Sequence, residues 1–198
     1  MSNKKEILYV SNLLSLSRFF LTLITILFLV SSLGDKYLYS LVMIIVIWIS
    51  DLLDGYLARK RNEITELGKI IDPLADKFCI IAISIILLVQ NVIPLWFVLI
   101  IVLRDVIIFS CGLYLKYVKN IVLMSNRTGK ISVFIIGLTL LFSIFFMHFS
   151  NNQIFFSYHT ENLELYLKFL IILSITMSIV SLIVYFKRFY SIVYKKNN

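Results

Sequence analysis

Between Asn12 and Lys187 the chain is almost unbroken apolar sequence, which leaves few folds open to it. Six runs stand out, near 12–33, 37–59, 67–89, 94–117, 130–149 and 163–187. At about 1.5 Å per helical residue, each is long enough for a hydrocarbon core about 30 Å thick. Mean hydropathy is +0.95 and 60% of residues are hydrophobic, far above a soluble domain. Only two prolines and six glycines interrupt the pattern, so long helices are expected throughout. The connections are too short for a separate soluble domain, and no repeat or low-complexity linker breaks the series. Residues 1–198 therefore read as one all-α integral membrane domain of six transmembrane helices. The first run is too long for a signal-peptide core and is followed by no small-residue cleavage pattern, so it is read as span one.

A net charge of +8 could suggest nucleic acid, but the placement of the cations points to a membrane instead. Lys4, Lys5, Arg18, Arg59, Lys60, Arg61, Lys116, Lys119, Arg127, Lys130, Lys187, Arg188, Lys195 and Lys196 all fall at one side of the six spans. Only Lys36 and Lys168 fall at the other, and Lys69, Lys77 and Arg104 lie within spans. The positive-inside rule then places both termini in the cytoplasm of a cell (inner or plasma) membrane. A cationic rim of this kind also attracts anionic lipid headgroups. Cys79 and Cys111 lie in apolar runs and read as buried, inert thiols. The outer connection, with His148, His159, Glu161 and Glu164, reads as solvated loop.

Acidic residues gather where such a chain tolerates them least. Asp51, Asp54, Asp72 and Asp76 are four of only eleven in the sequence. On helices, the first pair shares a face at i,i+3 and the second at i,i+4. A turn near 60–66 would fold the two helices back antiparallel, so that both pairs face one seam. Four facing carboxylates repel, and a polyvalent cation relieves this; all-oxygen ligands favour Mg²⁺ or Mn²⁺. Two such ions would suit chemistry on phosphates. The competing reading is a pair of solvated helix ends. Depth argues against it, because Asp51 lies roughly 12 Å of helix before Arg59. Carboxylates inside a membrane segment are costly and by default functional.

The full spacing is Asp51, two residues, Asp54-Gly55, two residues, Ala58-Arg59, eight residues, Gly68, three residues, Asp72, three residues, Asp76. This resembles the signature of the CDP-alcohol phosphatidyltransferases, with every signature residue and every gap kept. More loosely, Asn12, Ser15 and Arg18 resemble that family's amino-terminal Pro-Asn-x-x-Thr-x-x-Arg pattern, with Ser11 in place of the proline and Ser15 in place of the threonine. The resemblance implies attack by an alcohol hydroxyl on the lipid-side phosphorus of a CDP-linked lipid, with CMP leaving. It implies two divalent metals, bridged by Asp51 and Asp72, with Asp54 completing one site and Asp76 the other. Asp76 would also accept the hydroxyl proton. A homodimer is the assembly implied.

Around this core several residues carry two readings each. Small Gly55 and Ala58 leave room for a nucleotide or permit close helix packing. Arg59 suits a diphosphate, or flanks the span as a topological charge. Thr65 matches a hydroxyl position touching the liponucleotide in the resembling family, while Thr65 with Gly68 also reads as a helix start. Arg18 either snorkels to the lipid interface or contacts substrate. Pro73 is expected to bend its span. Arg104 and Asp105 lie deep in span four and, being adjacent, are expected to need separate partners. Arg104, Arg127 and Lys130 would suit a phosphate on the acceptor, although Arg127 and Lys130 also read as topological charge. The Arg104-Asp105 and Gly129-Lys130 pairs look most like the phosphatidylglycerophosphate synthases of the family, which implies sn-glycerol 3-phosphate as acceptor. Inositol phosphate, serine or a lipid alcohol would be alternatives with the same chemistry. A cation transporter is a different class of reading; its acids would be spread through the spans rather than clustered at one side. A structural scaffold would leave the buried charges unexplained.

Overall fold

The computed structural model describes residues 10–61, 68–119, 126–151 and 160–194. Among them the regular structure is entirely helical. Six helices follow in order: α1 (Val10–Val30), α2 (Lys36–Arg61), α3 (Gly68–Val89), α4 (Leu95–Lys119), α5 (Arg127–Asn151) and α6 (Thr160–Tyr194). The bounds lie within three residues of the six expected runs except at the end of α6, which continues seven residues past 187. Among the described residues, three helices are long and apolar enough to cross a membrane, over Leu95–Val118, Arg127–Asn151 and Glu161–Val193; Ser15–Val30 is a shorter apolar stretch. α3 runs through Pro73 as one continuous helix.

Burial is distributed as expected of a protein solvated by lipid. Large apolar side chains such as Phe20, Leu27, Val89, Phe109, Phe134 and Ile172 are exposed. Small hydroxyl residues are turned inward: Thr22, Thr25, Ser132, Thr139, Ser143, Ser174 and Ser178 are wholly buried. Within helices these hydroxyls bond backward to the preceding turn, as Thr25 does to Leu21 O at 2.8 Å and Ser143 to Thr139 O at 2.8 Å. Between α5 and α6 they bond to each other, Thr139 to Ser174 at 2.7 Å and Ser132 to Ser178 at 3.2 Å. Small residues let the two backbones approach, and the hydroxyls satisfy one another without water. The chain is a membrane protein on these grounds.

One core of Leu29, Ile44, Ile83, Leu87, Phe97, Ile136, Ile144 and Ile171 with their neighbours joins all six helices. α1 packs against both α2 and α3, α5 against α6, α2 and α3, and α4 against α6 and α3. At Gly137 on α5 an added Cβ would lie 2.9 Å from Trp48 Cζ2, so the indole of α2 occupies the space that glycine leaves. α3 ends in a Schellman turn: Asn91 N–H donates to Leu88 O, Val92 N–H donates to Leu87 O, and Asn91 takes a positive φ of 59°. The Gln90 side chain donates to Leu29 O at 2.8 Å and so ties the end of α1 to the end of α3.

The connections at Ser31–Asp35 and Gln90–Pro94 gather at one end of the bundle. There, Tyr37, Gln90, Pro94, Trp96, Met147 and Glu164 help to line a cavity of about 950 Å³. Asp51 lies fourteen positions beyond Tyr37 on α2, roughly 21 Å of helix, so this cavity lies well away from the acidic motif. The expectation of an outer loop needs one correction. His148 is not a loop residue but sits in the last turn of α5, half-buried and edge-on to Phe149 at 5.3 Å. Glu161 and Glu164 belong to the first turns of α6, and His159 lies outside the described residues. Near the end of α5, the rings of Phe145 and Phe149 lie 4.4 Å apart and tilted by 52°.

Candidate active site

Asp51 stands sixteen positions into α2 and Asp76 nine positions into α3. Residues 62–67, which join those helices in sequence, lie outside the described residues. It is α1 that brings the two acids together. Arg18 on α1 is fully buried, and its Nη1 donates to Asp51 Oδ1 at 2.6 Å and also to Asp76 Oδ1. One nitrogen atom therefore touches a carboxylate from each of the two helices that carry the motif. Asp51 and Asp76 remain 49% and 43% exposed, so both carboxylates border an open space while the cation lies beneath them.

One turn along α1, Thr22 secures this placement. Its hydroxyl bonds to Arg18 O at 2.7 Å, and Thr22 Oγ1 lies 2.8 Å from Cys79 Sγ on α3. Cys79 is thus a buried packing thiol, one turn after Asp76. Arg18 corrects a reading made from the sequence. It is not a cation at the lipid interface, because it has no exposed surface and, among the described residues, pairs with both Asp51 and Asp76. Two carboxylates offset the desolvation that an interface would otherwise have to relieve. The sequence did not pair Arg18 with the acidic motif; the hint was its place in the Asn12–Ser15–Arg18 pattern, three and six positions along one helix.

The remaining motif residues are placed less fully. Asp54, Gly55, Ala58 and Arg59 lie on α2, and Gly68 and Asp72 on α3, but their side chains are outside the described residues. The Asn12 side chain and all of Thr65 are outside them too. Ser15 is fully buried, one turn before Arg18. Among the described residues no three His, Cys, Asp or Glu side chains converge as a metal set. The two acids that are described do fit a divalent cation: they are oxygen donors from separate helices, half-exposed, and already arranged about one positive charge.

A second charged cluster lies where α4, α5 and α6 meet. Arg104 is 5% exposed. Its Nη1 donates to Asp105 Oδ1 at 2.6 Å, and its Nη2 donates to Ser181 Oγ at 2.9 Å and to Gly129 O at 3.4 Å. The expectation that Arg104 and Asp105 need separate partners is therefore wrong. Neighbouring Cβ atoms do diverge on a helix, but the long arginine side chain bends back far enough for its guanidinium to reach the adjacent carboxylate. Arg127 and Lys130 are exposed on the first turn of α5, flanking the Gly129 carbonyl that Arg104 reaches. The structure thus brings the three cations expected for an acceptor phosphate to one region, with Arg104 buried and the other two at the surface.

Comparison with known proteins gives the family. The family model for CDP-alcohol phosphatidyltransferases matches residues 8–180. The chain belongs to the CDP-alcohol phosphatidyltransferase family. A CDP-diacylglycerol--glycerol-3-phosphate 3-phosphatidyltransferase of Aquifex aeolicus is 50% identical over 68 residues, 34% of this chain and 36% of that protein. One of the same name from Bacillus subtilis is 36% identical over 100 residues, 50% of this chain and 51% of that protein. A Streptomyces coelicolor protein named cardiolipin synthase (CMP-forming) is 36% identical over 67 residues, 34% of this chain and 31% of that protein. The matches span about a third to a half of the length of these relatives.

Proposed function

We propose that this family member transfers the phosphatidyl group of CDP-diacylglycerol to the hydroxyl of sn-glycerol 3-phosphate, releasing CMP. The observation that carries the reading is the meeting of Asp51 and Asp76 about Arg18, within a complete family signature. The names of the Aquifex and Bacillus relatives support the acceptor. Asp51, Asp54, Asp72 and Asp76 would hold two divalent ions, Mg²⁺ or Mn²⁺, with Asp51 and Asp72 shared between them. When bound, such ions neutralise the diphosphate and stabilise charge on the leaving CMP. Arg59 donates to diphosphate oxygens, and Gly55 and Ala58 leave space for the nucleotide. Asn12, Ser15, Thr65 and Gly68 complete the liponucleotide site. Asp76 takes the proton from the attacking hydroxyl, which requires that hydroxyl within hydrogen-bond reach. Arg104, Arg127 and Lys130 orient the acceptor through its phosphate, which converts an encounter in solution into a positioned attack.

An acceptor screen tests this. Purified protein receives CDP-diacylglycerol, Mg²⁺ or Mn²⁺, and one alcohol at a time, and CMP release is measured. Glycerol 3-phosphate is expected to support turnover, chelator to abolish it, and added metal to restore it. Full activity in chelator would remove the metal assignment. The cardiolipin synthase relative favours a second acceptor, a lipid alcohol such as phosphatidylglycerol. Turnover with that lipid but not with glycerol 3-phosphate would select it. The transporter reading loses its support, since the described acids of the motif converge at one place rather than lining the spans.

All six helices are proposed to cross the membrane, with both termini and the acidic site on the cytoplasmic side and a homodimer as the assembly. The fourteen-to-two asymmetry of flanking cations, counted from the residues named above, supports that orientation. Burial of Arg18 removes one from the larger group and leaves the sign unchanged. A reporter fused after Asn198 is expected in the cytoplasm and a tag near Asn152 outside. An external carboxyl-terminal reporter would overturn either the orientation or the number of crossings.

A further inference from the structure

The position of Arg18 asks for more than a packing role. A fully buried guanidinium is expensive in a low-dielectric bundle, and here it is placed where two helices present acids. One turn on, Thr22 meets Cys79 on α3 at 2.8 Å and so ties α1 to that helix beside Arg18. The cation is therefore held at the seam by the fold rather than drawn there by a flexible surface chain. We propose that Arg18 is a positioning residue that holds the acidic site together before metal arrives, and that it competes with divalent metal for Asp51 and Asp76.

This rests on reading those two aspartates as metal ligands. Without a cation between them, Asp51 on α2 and Asp76 on α3 would repel, which raises the energy of the metal-free protein. With Arg18 present, the two acids stay together, but their negative potential is partly neutralised. Incoming metal must then share or displace the guanidinium's bonds. The arrangement exchanges metal affinity for a preformed site.

Arg18→Gln removes the charge while keeping a polar side chain of similar reach, and Arg18→Lys keeps the charge. Mn²⁺ binding is measured by electron paramagnetic resonance in detergent, with no substrate present. Arg18→Gln is expected to bind Mn²⁺ about tenfold more tightly than wild type, because a competing cation close to the ligands is gone. Its metal-free unfolding midpoint is expected to fall, and its gain in midpoint on adding Mn²⁺ to exceed that of wild type. Arg18→Lys is expected to stay within about threefold of wild type in Mn²⁺ affinity. A purely structural arginine would leave Mn²⁺ affinity unchanged or weaken it, and either result in a folded Arg18→Gln overturns the proposal. Should Arg18→Gln not fold, the guanidinium ¹⁵N resonance of Arg18 in wild-type protein decides. It is expected to move on saturation with Mg²⁺, and an unmoved resonance overturns the proposal. If wild-type protein binds no Mn²⁺, the metal reading falls together with this one, whereas wild-type binding that Arg18→Gln does not tighten removes only the role of Arg18.

Discussion

Asp51→Asn is expected to lower phosphatidyl transfer by on the order of a thousandfold or more, with the protein still folded. Asparagine keeps the shape of the side chain but removes its charge, so a ligand proposed to be shared by two ions is lost. Asp72→Asn is expected to match it for the same reason. The folded state should survive, because Arg18 keeps its bond to Asp76 and Asp51 is half-exposed. Asp76→Asn is expected to be nearly inactive while still binding the liponucleotide, since its distinctive duty is to take the hydroxyl proton. Asp35, exposed just before α2 and far from the motif, provides the control, and Asp35→Asn should behave as wild type. Turnover is followed by CMP release at saturating metal, and folding by circular dichroism. Retention of more than about a tenth of wild-type activity in Asp51→Asn would refute a shared-ligand role.

Arg104→Ala is expected to raise the KM for glycerol 3-phosphate by roughly ten- to a hundredfold, on the order of 1.5–3 kcal/mol for a lost bond to a charged group. The liponucleotide KM should change much less, because Arg59 and the acidic motif hold that substrate. The structure adds a second consequence. Arg104 joins α4 to α5 and α6 through Gly129 O and Ser181, and it neutralises Asp105, whose side chain is only 12% exposed. Truncation leaves that carboxylate without this partner, so the thermal midpoint of unfolding should fall as well. Arg127→Ala separates the two effects, since Arg127 is exposed and its loss should raise the acceptor KM with little change in midpoint. An unchanged acceptor KM in Arg104→Ala, with a lowered midpoint, would make Arg104 a tie between helices and nothing more.

The sequence by itself determined the class of the fold. Runs of twenty or so apolar residues have one way to satisfy their backbones in lipid, so six helices and most of their bounds followed from local composition. It missed the end of α6, because Lys187 and Arg188 interrupt the apolar run while Phe189 continues the packing, 5.8 Å from Tyr114 of α4. It also led to the four aspartates as a group, since their spacing is local and their depth in apolar sequence is a cost that needs a reason. What only the tertiary structure decided is which charge answers which. Arg18 meets partners 33 and 58 positions away, a pairing that no helical period encodes. Arg104 and Asp105, adjacent in sequence, were expected to part and instead pair, because the reach of an arginine outweighs the divergence of neighbouring Cβ atoms. The hydroxyls between α5 and α6 read in sequence as scattered serines and threonines, and they become a bonded seam only when the two helices meet. Helix formation follows from a residue's neighbours in the chain, whereas the pairing of buried charges depends on which side chains the packed helices bring within a few ångströms.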